Sequence, residues 1–387
     1  MVEYCKQCLN QNPSDYISKK KTEKIRTKSE GLNKKGLCRV CEYENFKKNN
    51  KIDFNLRIKE LKNIIRSTKK FNNSDYDCIV TVSGGKDSMR QAFYARDVLK
   101  LNCLLVSSVY PPEQQTTRGS NNLSNLINHG FDCISLTLDP IMWKEFMKHS
   151  FFEFGNIFRP TEMALFAIPV HVAISFQIPL LFYGENVLYT TTFGTTKEGT
   201  DGSAQKLKEG NTVKGGPKSL NYKKASKRDF HFYDYPSYAK MNKANLKLVY
   251  LGYYIKDWYA YKNAKLAIEK GIQTRNDNPA EMGDLWGYAA LDEDFRIVNQ
   301  YLRYLKLGNG QVTDQVCEAI HQDIMTREEA IEKVKMYDGA CDDKYINKLC
   351  KYFNISRNEF DIVVDNFVNR NLFEYLNGKW LPKFKPE

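Results

Sequence analysis

The segment YDCIVTVSGGKDSMRQAF, residues 76–93, restricts the fold more than any other stretch of the 387-residue chain. Its first seven residues form a short apolar run rich in β-branched side chains, which reads as a buried strand. SGGKDS follows at once, and a helical pattern to about Lys100 follows that. Two glycines let a backbone approach an anion without side-chain obstruction, and the first helical N–H groups then point at it. The spacing G-x-x-x-x-G-K-S/T of the commonest phosphate loop is absent, so this is a phosphate cradle of another kind.

The pattern then repeats. CLLVSSVY is followed by a helix near 119–129, and DCISLTL by a helix over 141–152. Alternation of this kind predicts an α/β fold with a parallel sheet flanked by helices, whose ligands sit at the carboxyl ends of the strands. The apolar stretch 164–183 is interrupted by Pro169, His171, Gln177 and Pro179, which argues against a membrane span. It reads instead as a buried helix stopping near Gln177 and a strand, IPLLFY, over 178–183. LKLVYLG gives a further strand and 262–271 a further helix, while 53–70 reads as a connecting amphipathic helix. From Leu285 the chain is helical, TREEA at Thr326 is a capping signal, and the last hundred residues show no strand run of comparable strength. Residues 194–228 hold nine basic and three acidic residues with few large apolar groups, and suit either a mobile loop beside the site or a spacer. Aromatics at 13% exclude a mainly disordered chain. Three units are expected: a cysteine-bearing unit over 1–50, a sheet domain over 51–275 with its mobile loop at about 192–230, and a helical region over 276–387.

Of ten cysteines, Cys5, Cys8, Cys38 and Cys41 form two C-x-x-C pairs and the other six are scattered. Two such knuckles complete a tetrahedral sulfur site, for which structural zinc is the expected ion and an iron–sulfur cluster the chemical rival. The 29 residues between the knuckles exceed the usual spacing. Cysteines used this way, and an N-terminus without an apolar signal region, lead to the expectation of a cytoplasmic protein.

Strand, SGGKDS and helix together resemble the pyrophosphate-binding loop of the ATP pyrophosphatase (PP-loop) superfamily, whose members cleave ATP between the α and β phosphates to adenylate a substrate. The resemblance implies that Ser83, Gly84, Gly85 and Ser88 hold the β and γ phosphates and that Lys86 stabilises the leaving pyrophosphate. Asp87 would hold Mg²⁺ or the loop itself, or act as a helix cap. More of the chain is similar to the N-acetyl sugar amidotransferase family of lipopolysaccharide and nonulosonic acid biosynthesis: the N-terminal C-x-x-C, GLCRVC, YDCIVTVSGGKDS, IPLLFYGEN, YLRYLKLGNGQVTD and MTREEA. The implied reaction is activation of an acetamido oxygen by ATP, then displacement of AMP by ammonia to leave an acetamidino group. Gln311 and Gln315 stand where that family's arginine and histidine are expected, which bears on the identity of the sugar more than on the reaction.

Glu185 and Asn186 follow the IPLLFY strand, where they could orient ammonia or the sugar amide, although Glu185 also suits a turn cap. Arg118 and Asn122 are candidates for the sugar's phosphate or carboxylate, or else solvated loop groups; Lys306 could reach a phosphate or lie on a helix face. His171 reads as a core histidine, and no H-E-x-x-H pair supports a catalytic zinc. Tyr253, Tyr254, Trp258, Tyr259 and Tyr261 suit stacking on a ring or plain packing. Residue 2 is Val and Cys5 is committed to metal, so no glutaminase nucleophile is available and ammonia is expected from a separate glutaminase subunit. The alternative is a PP-loop tRNA-thiolating enzyme, favoured by the net charge of +12 but lacking a third C-x-x-C. A nucleic-acid partner is therefore not expected; the expected substrate is an acetamido sugar or sugar nucleotide.

Overall fold

A computed structural model describes residues 2–12, 16–20, 31–49, 52–185, 202–210 and 213–387. Five short strands form a parallel sheet: β1 (Cys78–Thr81), β2 (Cys103–Ser108), β3 (Asp132–Leu136), β4 (Leu180–Tyr183) and β5 (Lys247–Tyr250), in the order β3-β2-β1-β4-β5. The central strands are apolar at successive positions because both faces are covered. Ile79, Leu104, Val106, Leu181 and Tyr183 point into one core, and Cys78, Val80, Leu105, Leu180 and Phe182 into the other.

Helices of eight or more residues are numbered in chain order. α1 (Arg39–Lys48) and α2 (Phe54–Lys69) precede the sheet; α3 (Lys86–Phe93), α4 (Thr117–Asn128), α5 (Pro140–Phe154) and α6 (Arg159–Ser175) lie between its strands, and α7 (Ala260–Glu269) follows it. The helical region comprises α8 (Phe295–Leu307), α9 (Gln311–His321), α10 (Arg327–Tyr337), α11 (Asp343–Phe353) and α12 (Arg357–Phe367). α2, α3, α4 and α7 cover one face of the sheet, and α5 and α6 cover the other. The core of Ile79 and Leu104, under α5 and α6, continues without a break into the helical region, where Phe151 of α5 stacks on Phe360 of α12 at 5.4 Å between ring centroids. Asp338 fixes α9 from the end of α10, accepting from the backbone of Gly310, Val312 and Thr313 at 2.8–3.2 Å. Thr326 forms the expected capping box with Glu329. No described helix is long and apolar enough to cross a membrane.

Two expectations change. The chain ends in an antiparallel hairpin, β6 (Phe373–Leu376) and β7 (Lys379–Pro382), turned by Asn377 and Gly378, both at positive φ as a tight hairpin requires. Of the basic segment expected to be mobile, 192–201 and 211–212 lie outside the described residues, and the rest is anchored. Ala204 N–H donates to Leu248 O at 2.9 Å and Tyr250 N–H to Gly202 O at 2.8 Å, so 202–204 covers the open edge of β5. Further on, Val213, Leu220 and Tyr233 are buried, and Phe230 stacks on Phe146 at 5.0 Å. These widely spaced apolar residues, too sparse to give a periodic pattern, pin the segment to α5.

Candidate functional site

β1 and β4 are neighbours whose chains leave the sheet in opposite directions, β1 toward β2 and β4 toward β5. A crevice opens where such a sheet changes direction. Here it is a cleft of about 280 Å³ lined by Ser83, Asp87 and Ser88 from the β1 side and by Tyr183, Gly184 and Glu185 from the β4 side.

The SGGKDS bend is shaped by its two glycines in different ways. Gly84 has φ +83°, and a Cβ there would stand 2.7 Å from the backbone nitrogen of Leu123, so it lets the bend pack on α4. Gly85 is open: its Cβ would meet only Ser83 Oγ, at 3.4 Å. Gly85 precedes α3, which presents its first turn to the cleft with no side-chain cap. Such a terminus offers unpaired N–H groups and partial positive charge, and it fits an anionic phosphate chain. Lys86 Nζ lies 2.7 Å from Asp87 Oδ2, and Asn263 Nδ2 donates to Asp87 Oδ1 at 2.8 Å. Ser88 Oγ donates to Gly85 O at 2.8 Å, closing the turn.

On the opposite wall Glu185 has its Oε2 enclosed, and burial pushes its carboxyl up to about 7. Behind it sits Gln91 of α3, whose Nε2 donates to Thr81 O. The third wall comes from the start of α7 and the residues just before it, Trp258, Tyr259 and Ala260, and from Glu318 of α9. Glu318 accepts from Tyr261 N–H at 3.3 Å; burial raises its carboxyl, and the nearby Lys86 opposes that rise. Neither Gln91 nor Glu318 belongs to a motif of the sequence. Gln91 carries a local signal, a polar residue on the buried face of an amphipathic helix; Glu318 carries none, because more than two hundred residues separate it from the loop it faces.

Arg118, Asn122 and Lys306 are not brought to the cleft. Arg118 Nε donates to Leu291 O at 3.0 Å, and both ends of the Asn122 amide are taken by the backbone of Gln273, at 2.9 and 2.7 Å. Lys306 Nζ donates to Phe154 O at 2.9 Å. These groups satisfy backbone at joints between elements. Asn186 lies outside the described residues. Gln315 ties α9 to the loop before α8 by accepting from Leu285 N–H at 2.9 Å. His171 is half-buried rather than in the core, and it bonds Asp234 O at 2.9 Å.

Cys5, Cys8, Cys38 and Cys41 place their four sulfurs within 4.8 Å of one another, all buried. Cys38 N–H donates to Cys5 Sγ at 3.2 Å and Asn10 N–H to Cys8 Sγ at 3.4 Å. Four convergent sulfurs that receive backbone donors fit a thiophilic cation such as zinc. The cluster is roofed by α9 and α10 through Val312, Val316, Cys317, Ala330 and Val334. His321 Nε2 is 3.1 Å from Cys41 Sγ. A second link runs from α1 to the cleft: Lys47 Nζ donates to Tyr259 Oη at 2.6 Å, and Tyr259 Oη donates to Glu44 Oε2 at 2.8 Å. Burial draws the Lys47 ammonium down to about 8. α9 thus carries Cys317 and His321 toward the sulfurs and Glu318 toward the cleft.

Residues 287–385, a quarter of the chain, match the family model described as LPS biosynthesis protein WbpG-like, C-terminal domain. Among solved structures, the chain is similar to NMN synthetase from Francisella tularensis, with TM-score 0.28, 12% identity, and coverage of 59% of this chain and 99% of that one. It is also similar to the U34-tRNA thiolase NcsA from Methanococcus maripaludis with its [4Fe-4S] cluster, with TM-score 0.28, 13% identity, and coverage of 92% and 96%. No curated protein matches.

Proposed function

We propose that this chain is an ATP-dependent amidotransferase that converts the acetamido group of a bacterial surface sugar, free or nucleotide-activated, into an acetamidino group. The observation that carries the reading is the cleft: a glycine-bearing bend at a helix N-terminus and an enclosed carboxylate face each other across one crevice. The WbpG-like match of residues 287–385 supports a role in lipopolysaccharide biosynthesis.

In this mechanism the bend and the first turn of α3 hold the β and γ phosphates, and Lys86 swings from Asp87 to the pyrophosphate as its charge develops. Asp87, released from Lys86, is the residue for Mg²⁺, which supplies charge neutralisation on the phosphates. The acetamido oxygen attacks the α-phosphorus, the bond to the bridging oxygen breaks, and pyrophosphate leaves. Ammonia then attacks the imidate carbon, the C–O bond breaks, and AMP departs. Glu185, with a carboxyl near neutrality, takes one proton from the nitrogen donor, and the other surplus proton stays on the acetamidino group, which is a strong base. Ammonia comes from a separate glutaminase subunit. The cysteine centre, holding zinc, has a structural part: it fixes α1 and α9, and through them Tyr259 and Glu318.

The test is to incubate the protein with ATP, Mg²⁺, ammonium and acetamido sugar nucleotides, and in parallel with bulk tRNA and a sulfur donor. Sugar-dependent release of AMP and pyrophosphate, with an acetamidino product by mass, is the expected result. Pyrophosphate release that depends on tRNA and sulfur would overturn it in favour of a thiolase.

A further inference from the structure

Two enclosed oxygen atoms of the cleft lack a hydrogen-bond donor among the described residues: Gln91 Oε1 and Glu185 Oε2. Gln91 is only 2% exposed. Its amide orientation is fixed by chemistry, because Nε2 faces Thr81 O, and the reverse orientation would set two acceptors against each other. Oε1 is therefore the end left without a donor. Gly184 sets the two residues together: a Cβ at that position would lie 3.1 Å from Gln91 Nε2 and 3.4 Å from Oε1, so the chain leaving β4 rests directly on the Gln91 amide and presents Glu185 next.

Enclosed acceptors without donors cost stability, and a fold keeps them where a ligand supplies the missing hydrogens. The ligand must be a cation or be rich in N–H or O–H groups, and the comparison of ammonium with sodium below separates an N–H-bearing cation from a bare one. An anion is excluded, since both atoms are acceptors and one belongs to a carboxylate. A sugar hydroxyl brings a single hydrogen and no charge, whereas the carboxylate calls for a cation. Tyr183 and Trp258 also line the cleft and are almost fully buried, so the surroundings of the two oxygens hold little water. The phosphate end, at Ser83 and the first turn of α3, has the opposite character.

We infer that Gln91 Oε1 and Glu185 Oε2 form an ammonium subsite, which holds the nitrogen donor as its cation and accepts one of its protons. The inference deepens the amidotransferase reading and rests on it for the fate of the nitrogen. In the proton step an N–H bond of ammonium breaks, its electron pair stays on nitrogen, and the proton forms an O–H bond with Glu185. Free ammonia with a lone pair is left beside the imidate carbon. Glu185, held near neutrality by burial, can release that proton again between turnovers.

The experiment measures ammonium chloride as the varied substrate for the full chain and for Glu185→Gln and Gln91→Leu. In both variants the KM for ammonium should rise by about tenfold or more, and by more than the KM for ATP. Equal rises in both, or no rise for ammonium, would overturn the subsite. Gln91→Leu also loses the bond to Thr81, so a binding readout accompanies it: the shift in unfolding temperature given by ammonium chloride over sodium chloride at matched ionic strength. The wild-type protein should show the shift and Glu185→Gln should not; a shift that persists in Glu185→Gln would overturn the subsite as well. The two readings fail separately. Turnover with an unaltered ammonium KM removes the subsite alone, whereas an ammonium-specific shift without turnover of any acetamido sugar removes the amidotransferase and keeps the subsite.

Discussion

The cysteine centre and the cleft lie on two sides of α9 and treat buried polar atoms in opposite ways. Around the sulfurs, backbone N–H groups of Asn10 and Cys38 and the ring of His321 approach from three directions, and apolar side chains close the remainder. In the cleft, Glu185 and Gln91 keep oxygens that no described residue meets, and the first turn of α3 has no side-chain cap. A polar group satisfied from within holds a structure together, while one left bare at a cost to folding marks where something else binds. The contrast accords with a structural part for the cysteine centre and a binding part for the cleft, as proposed above.

The most severe way to break that contrast is to damage the centre. Cys38→Ser should release the metal and destabilise the chain by several kcal/mol, on the order of 5, because metal binding there is folding free energy. Metal analysis and denaturant midpoints check this, and an unchanged metal content would remove the metal from the account. Next, Lys86→Ala should cut turnover by roughly 10²- to 10³-fold, the usual loss when a group stabilising developing charge is removed. Its unfolding midpoint should barely move, since its partner Asp87 is 43% exposed and a pair of that kind contributes little. Turnover that survived would refute the loop's role.

Glu185→Gln sharpens the contrast through pH. A carboxyl raised to about 7 in the fold from 4.5 keeps its proton between those values while the unfolded chain has lost it. Wild-type stability therefore falls as the pH climbs from 4.5 to 7 and stays at the lower level above that window. The glutamine variant escapes this fall, so at pH 8 it should be more stable than wild type by up to roughly 3 kcal/mol while losing activity. The gain should shrink to nothing near pH 4.5, and equal midpoints at pH 8 would contradict the burial of the group. The smallest effect belongs to the bridge between the regions: Tyr259→Phe should lower stability by about 1 kcal/mol with full metal content. If metal were lost as well, the bridge would be part of the centre.

How much of this could be read in advance followed from distance along the chain. The strand, bend and helix around SGGKDS are local, and so are the two C-x-x-C pairs and IPLLFY, whose boundaries fell within a few residues of those found. The hairpin at 373–382 was legible too, since Asn377-Gly378 is a strong turn signal between apolar runs, but a search for long strands passes over it. Arg118 and Asn122 looked like ligands because they follow a strand; their partners, Leu291 and Gln273, lie some 150 residues or more away, and nothing in their own neighbourhood announces them. Glu318 and His321 were hidden for the same reason. Seated on one short helix, they face residues far earlier in the chain, Glu318 the bend at 83–88 and His321 the knuckle at Cys41.

The roof over the cysteines has a consequence for biosynthesis. Cys41 and His321 are separated by 280 positions, so the thiols leave the ribosome on the order of tens of seconds before their cover exists, at ordinary translation rates. The nascent knuckles form an open cup until α9 and α10 have been made. A transcript cut short before α9 would yield the same four thiols with nothing to shelter them.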